Sequence, residues 1–363
     1  MPERGDAMRF HPDALRQAWA MPSAPRPIVT IGAGSIVADA HFPAYRKAGL
    51  PIAGLYDRDV ERARQVAARF GVAKAFASLA EAAASEGVVF DLATPPGAHA
   101  ETLRGLPDGA TVLIQKPMGA NETEASEILA VCRAKRLTAA VNFQLRFAPM
   151  MLAVRDAIAA GWIGELVDVE ARVSIDTPWD LFAFLKGLSR IEIAVHSIHY
   201  LDLMRGFLGD PRGVHAKTIG HPNSSMAQTR TTAILDYGDR VRCTLSVNHN
   251  HAFGRRHQAA EFRFEGTQGA AHASMGLLLD YPRGEPDILS IRPKGEADWI
   301  DVPLEGAWFP DAFIGRMANL QRFAAGEDSE LIASVEDAWS TMALVEAAYR
   351  SSAQPATALS KHP

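Results

Sequence analysis

The residues best suited to acid–base chemistry lie in one run, Ile191-Glu192-Ile193-Ala194-Val195-His196-Ser197-Ile198-His199-Tyr200-Leu201-Asp202. Steps of four, three and three place Glu192, His196, His199 and Asp202 on a single helical face. Two histidines flanked by carboxylates can hold a metal, act as a general base supported by acids, or form a buried polar network. The zinc-protease order His-Glu-x-x-His is absent, and no metal is expected. An imidazole near its ordinary pKa accepts a hydroxyl proton at neutral pH, so His199 fits alcohol oxidation as the base. Lys116, in Gln115-Lys116-Pro117, is the other candidate. A loop lysine is ordinarily solvated, whereas one beside a nicotinamide, its pKa lowered by burial and a nearby cation, can orient or polarise a substrate hydroxyl. A further cluster, Asn248-His249-Asn250-His251, falls in an expected strand. Its members alternate between faces, so one pair either lines a substrate cleft or ends a polar strand.

Nicotinamide chemistry needs a dinucleotide site, and Gly32-Ala33-Gly34-Ser35-Ile36-Val37 offers its first part, between an expected strand and the helix after it. The tight turn needs Gly32, the missing side chain of Gly34 lets a pyrophosphate approach the backbone, and the helix start presents free N–H groups. Val37 departs from the usual pattern, since Gly or Ala there allows close helix packing, and a purely structural glycine turn is the alternative. Asp57, 23 residues after Gly34, ends the next strand, where an acid binds ribose hydroxyls; capping of the following helix is its alternative role. An aspartate there repels a 2′-phosphate while the adjacent Arg58 can contact one, which favours NAD and leaves NADP open. Thr94-Pro95-Pro96-Gly97-Ala98-His99 and Gln115-Lys116-Pro117 both follow strands at their carboxyl ends, where open α/β sheets place ligands.

These residues require a parallel sheet to position them, and the chain supplies its signature from Pro27 onward. Short apolar runs at Ile28 to Ile31, Ile52 to Tyr56, Val88 to Ala93, Val112 to Ile114 and Thr138 to Phe143, with a shorter one at Ala73 to Phe76, alternate with helical periods at Val60 to Phe70 and Glu122 to Lys135. After Arg146 the rhythm changes to a helix at Ala148 to Ala160, a strand at Leu166 to Ile175 and a helix around Glu192 to Leu208. Alternating strands at Thr231 to Tyr237, Val241 to His249 and Ala259 to Glu265 indicate an antiparallel sheet, and helices at Asp311 to Ala325 and Val335 to Ser351 close the chain. The fold class is therefore α/β with a second α+β domain. The segment before Pro27 is an extension with one short helix at Asp13 to Trp19, ended by Pro22, Pro25 and Pro27.

At 363 residues two domains are expected. A composition of 48% hydrophobic and 22% charged residues is that of a soluble globular protein. A net charge of −5 without any long Lys/Arg run argues against a nucleic-acid partner, and nothing calls for a membrane. Two distant cysteines, Cys132 and Cys243, suggest neither a disulfide framework nor a cysteine zinc site. With no signal-peptide core near the N-terminus, a cytoplasmic setting is expected.

From Pro27 to Ser352 the chain resembles the glucose-fructose oxidoreductase / inositol dehydrogenase / rhizopine catabolism (Gfo/Idh/MocA) family. The resemblance is carried by Gly32-Ala33-Gly34 with His41-Phe42-Pro43-Ala44, Asp57-Arg58, Thr94-Pro95-Pro96 with His99, Lys116-Pro117, Asn142-Phe143-Gln144-Leu145-Arg146-Phe147, Gly164-Glu165-Leu166, and His199 with Asp202, in that order. It implies a Rossmann domain over 27–146 that binds NAD(P) through Gly32, Gly34, Ser35, Ile36, Asp57, Arg58, Thr94, Pro95, His99, Gln115, Lys116 and Asn142. It further implies a substrate-binding and oligomerisation domain over 147–363, with an open, mainly antiparallel sheet that supports homodimers or homotetramers. The family's Glu-Lys-Pro lysine maps onto Lys116, and the histidine of its Asp-x-x-x-His helix onto His199. A sugar, cyclitol or related polyol is then expected against Lys116, Gln144, Arg146, Trp179, His196, His199 and His251, although Trp179 equally suits a core. Hydride is then expected to pass to the nicotinamide while His199 takes the hydroxyl proton and Lys116 holds the reacting oxygen. Two departures alter this pattern. Gln115 replaces the glutamate, and Val195 replaces the aspartate four positions before the histidine, which leaves Glu192 and His196 to support His199 or His196 itself to act as base. The alternatives are a carbonyl reductase on a sugar-like substrate and a non-catalytic NAD(P)-sensing regulator.

Overall fold

The structure, a computed structural model, describes residues 10–360. Five strands, β1 (Ile28–Ile31), β2 (Ile52–Tyr56), β3 (Val89–Leu92), β4 (Thr111–Ile114) and β5 (Thr138–Val141), form a parallel sheet in the order β2-β1-β3-β4-β5. β1, β3 and β4 are buried along their whole length, as strands covered on both faces must be, which is why they read as continuous apolar runs. Between them lie α1 (Phe42–Lys47), α2 (Val60–Arg69), α3 (Leu79–Ala83), α4 (His99–Gly105) and α5 (Glu122–Ala134). Asp59, not Asp57, caps α2, its carboxylate accepting the Arg62 N–H, which releases Asp57 from the capping role. The strand expected at Ala73 to Phe76 shrinks to a single bridge between Ala75 and Leu55.

The second unit contains α6 (Pro149–Ala159), β6 (Leu166–Ser174), α7 (Ile198–Leu208), β7 (Gly213–Ile219), β8 (Arg230–Asp236), β9 (Arg242–Asn248), β10 (Ala259–Gly266), β11 (Gly269–Ser274), β12 (Ile288–Pro293) and β13 (Ile300–Asp301), followed by α8 (Trp308–Ala324) and α9 (Val335–Ala353). Its eight strands run β13-β12-β11-β10-β6-β9-β8-β7 and are antiparallel except where β6 meets β9. One face packs on α6, α7 and α9; the other exposes Val167, Ile219, Ile234 and Ile288. The expected helix from Glu192 is a π-helical turn, Glu192–Ser197, that runs into α7.

The division at residue 146 follows chain order but not packing. Phe313, Met317 and Leu320 of α8 join Ile28, Phe42 and Leu113 in the core on one side of the parallel sheet, so the end of the chain completes the first domain. The N-terminal helix expected at Asp13 to Trp19 is only a 3-10 turn at Pro12–Ala14. The segment is held by tertiary contacts instead: Phe10 meets Trp162 edge-on, Trp19 packs on Phe147, and the Trp19 indole N–H donates to Asp328.

Candidate active site

All five carboxyl ends of the parallel sheet carry residues expected at a dinucleotide site. Taken across the sheet these are Asp57 after β2, Gly32 and Gly34 after β1, Thr94 after β3, Lys116 after β4 and Asn142 after β5. Asp57 and Lys116 are three strand spacings apart, about 14 Å, and the reversal of strand order beside β1 marks where such sheets bind ligands. Gly32 has φ +111°, and a Cβ there would lie 2.4 Å from the Ala93 carbonyl oxygen. A Cβ on Gly34 would meet nothing within 4 Å, so this backbone is open to a close-lying group. Ser35 and Ile36 begin the helix that follows, where N–H groups lack intrahelical acceptors. Asp57 Oδ2 accepts the Ala33 N–H at 2.7 Å and Oδ1 accepts the Asp59 N–H at 2.8 Å, so the carboxylate shapes the glycine loop. These features fit a dinucleotide. Gly32→Ala should lower NAD(H) affinity at least about tenfold, read by nucleotide fluorescence, because backbone rather than a yielding side chain blocks the added methyl.

Three residues expected to touch the cofactor instead lie behind this surface. His41, fully buried at the end of a π-helical turn (Val37–His41), places Nδ1 2.8 Å from Asp91 Oδ2. The side-chain amides of Gln115 and Asn142 approach His41 Nε2 at 3.3 Å each. With Nδ1 turned to Asp91, the single lone pair that Nε2 can offer is shared between the two amide groups, in keeping with their equal distances. Gln115 Oε1 meanwhile accepts the Lys116 N–H at 2.8 Å, so an amide supplies a donor and an acceptor where a carboxylate has only acceptors. His99 is the third: buried, with Nε2 2.9 Å from the Thr94 carbonyl, its pKa pulled down by burial to about 4, it pins the Thr94–Pro95 turn from within. Val37 is fully buried in the core beside the sheet.

Lys116 leaves the sheet towards the second domain, and its Nζ donates to the Val195 carbonyl at 3.1 Å. Burial lowers its pKa to about 8. His196 and His199 lie beside it; desolvation holds both imidazoles well below their ordinary pKa, with Lys116 adding to the effect and His249 acting on His196. Nδ1 of each is buried without a hydrogen-bond partner. Trp179 stands at this cluster, its ring 5.7 Å from His196 and 5.6 Å from His249. Lys116, His196, His199 and Trp179 thus come together from parts of the chain up to 83 residues apart.

Other expected members do not join them. Glu192 contacts neither His196 nor His199 in the manner expected: its Oε1 accepts from the Ser197 hydroxyl at 2.7 Å and lies 3.4 Å from His249 Nε2, an ion-pair distance. Asp202 faces away and binds Arg146 through two contacts, 2.6 and 2.7 Å, while Arg146 Nη1 reaches Asp337 at 3.0 Å. Arg146 is accordingly a buried ion-pair partner rather than a substrate ligand, and Gln144, 4% exposed, is also interior. His251 rests its ring against Phe253 at 5.8 Å. His249, which the sequence marks only as part of a polar strand end, takes the place by the cluster, its ring 4.4 Å from that of His196. Its signal was strand period: Cys243, Leu245, Val247 and His249 all face inward.

Comparisons with known proteins follow the same lines. A family described as an oxidoreductase family with an NAD-binding Rossmann fold matches residues 27–143, and the GFO/IDH/MocA C-terminal domain matches 151–272. D-apiose dehydrogenase of Rhizobium rhizogenes is 26% identical over 319 residues, covering 85% of this chain and 90% of its own. A dTDP-3,4-didehydro-2,6-dideoxy-alpha-D-glucose 3-reductase of Streptomyces violaceoruber is 28% identical over 252 residues, 67% of this chain and 70% of its own. An oxidoreductase from Agrobacterium radiobacter, crystallised with NAD+, L-tartaric acid and magnesium, shares the fold at a TM-score of 0.74 and 22% identity, over 91% of this chain and 97% of that one. The chain is a member of the Gfo/Idh/MocA oxidoreductase family, built on an NAD-binding Rossmann fold.

Proposed function

We propose that this oxidoreductase oxidises a hydroxyl of a sugar, cyclitol or related polyol. The reading is carried by one contact, the Lys116 ammonium reaching the Val195 carbonyl, which sets a cation from the dinucleotide domain among the histidines of the second domain. Bound NAD would supply the hydride acceptor. Gly32, Gly34, Ser35 and Ile36 would hold its pyrophosphate, Asp57 its adenosine ribose, with Arg58 exposed beside it, and Thr94, Pro95 and Lys116 would flank the nicotinamide end. Lys116 holds the reacting oxygen and stabilises its developing negative charge. The hydroxyl proton goes to His199, with His196 next to it; neutral imidazoles, as desolvation favours here, are the form that accepts a proton. Trp179 presents a flat apolar wall to the substrate's C–H face.

The dehydrogenase direction is supported by likeness to the apiose enzyme, the reductase direction by likeness to the dTDP-sugar enzyme, and the same residues serve both. The test is absorbance of NADH or NADPH with aldoses, cyclitols and sugar acids. His199→Ala should cut turnover by about 10²- to 10⁴-fold; full loss in His196→Ala with little in His199→Ala would reverse their roles. Asp57→Ala should weaken NAD(H) about tenfold in a fluorescence titration, since the loop N–H loses a charged acceptor. The chain is proposed to assemble as a dimer or tetramer through the open sheet face, where Val167, Ile234 and Ile288 are 38%, 51% and 52% exposed. A cytoplasmic setting agrees with its two free, buried cysteines, and among the described residues no helix is long and apolar enough to cross a membrane.

A further inference from the structure

We infer that His249 is a positioning residue, held between Thr177 and Glu192, which fixes the His196 ring and links it to a buried counter-charge. The inference rests on the site reading above and adds to it a residue from the second domain's sheet.

Glu192 is 0% exposed, and apart from Ser197 the cationisable group within reach of its carboxylate is His249, itself 2% exposed. A carboxylate so placed is costly without a positive or donating neighbour. His249 Nδ1 lies 2.8 Å from the Thr177 hydroxyl, and Nε2, which makes no hydrogen bond, lies 3.4 Å from Glu192 Oε1, within ion-pair distance. Its backbone is fixed as well, the N–H donating to Thr229 and the carbonyl accepting from Thr177. The Thr177 contact at Nδ1 sets the orientation of the ring, which turns its Nε2 edge to the side of the turn that carries Glu192.

His196 has no such hydrogen bond at Nδ1. Its ring is placed by packing, 4.4 Å between centroids from His249 and 5.7 Å from Trp179. The titratable groups facing His196 come from several elements: Lys116 from the end of β4, His199 from α7 and His249 from the end of β9. Glu192, on the same π-helical turn, bears on Tyr200 and on Tyr349 of α9. Glu192 reaches His196 through the His249 ring that packs between them, at 3.4 Å from the carboxylate and 4.4 Å between ring centroids. When the histidine pair takes up the hydroxyl proton, a positive charge arises next to Lys116, and Glu192 offsets it across the His249 ring that packs on His196. The family's aspartate position is Val195 here, so the counter-charge is delivered through another ring.

The experiment is a pH titration of the histidine rings by long-range 1H–15N NMR on the full chain, with His196→Gln for assignment. It needs neither substrate nor turnover, so it stands if the polyol reading fails; NAD(H) binding and the substrate panel judge that reading separately. In Glu192→Gln the His196 midpoint should fall by about one pH unit while that of His199 moves less, because loss of an anion disfavours the imidazolium. His249→Leu should shift the His196 ring signals and, with a substrate in hand, lower kcat with the NAD KM unchanged. His249→Gln, which keeps a polar group beside Glu192, should lose less than His249→Leu. An unchanged His196 midpoint in a folded Glu192→Gln protein, or equal losses in the leucine and glutamine variants, would overturn the inference.

Discussion

Lys116→Met is expected to lower turnover by about 10²- to 10⁴-fold while leaving NAD(H) binding within a few-fold of wild type. The methionine matches the lysine stem in length but cannot donate to the reacting oxygen, nor to the Val195 carbonyl that the ammonium now reaches at 3.1 Å. Stopped-flow hydride transfer and nucleotide fluorescence separate the two effects; equal losses in both would assign Lys116 to cofactor binding instead. The same variant changes stability in a pH-dependent way. The folded-state pKa of Lys116, lowered by burial from 10.5 to about 8, means that between these values the unfolded chain binds more protons than the folded one. Wild-type stability therefore rises with pH across that window, and below it the penalty of burying the charge is felt in full. Methionine carries no proton and lacks this dependence. The Tm advantage of Lys116→Met should be largest near pH 7 and shrink towards pH 10, as scanning calorimetry of the two proteins side by side would show.

Asp202→Ala is expected to cost about 3–5 kcal/mol of stability, the largest structural effect among these substitutions. Arg146 is 7% exposed and Asp202 1%, and removing the carboxylate strands a guanidinium that forms a two-point fork with it. Asp337 at 3.0 Å and its own partner Arg205 cannot replace both contacts. The loss is a fifth or more of the stability of a typical domain, about 5–15 kcal/mol. Urea denaturation measures it, and the NAD affinity of the folded fraction should be unchanged. A loss of substrate affinity without a loss of stability would restore Arg146 to the substrate site.

Where a position depends on backbone within one short window, it is legible in the sequence. The glycine turn, the aspartate ending β2 and the Gln-Lys-Pro segment were placed on the correct strand ends because apolar strand runs and turn residues are local signals. The helix bearing His196 and His199 was recognised by its period, and both histidines do lie by Lys116. The π-helical turn at Glu192–Ser197 was not legible, since an α-period extrapolated through it puts Glu192 and Asp202 with the histidines, whereas a wider turn and tertiary pairing take them elsewhere. The strands β7 and β11 to β13 are not legible in the sequence; Gly269-Ala270-Ala271 and the two-residue β13 offer little alternation.

Order along the chain settled the Rossmann sheet, its glycine loop and the two chemical segments, because each is stabilised by neighbours in sequence and recurs as a pattern of period or spacing. Partner choice among polar side chains came from packing. Glu192 with His249, Arg146 with Asp202, and His41 with Asp91 join positions 57, 56 and 50 residues apart, and each pairing follows from which buried group is left facing which when helices close on the sheets. A buried charge takes whatever opposite or donating group the packed interior brings within reach, and no window of sequence contains both members.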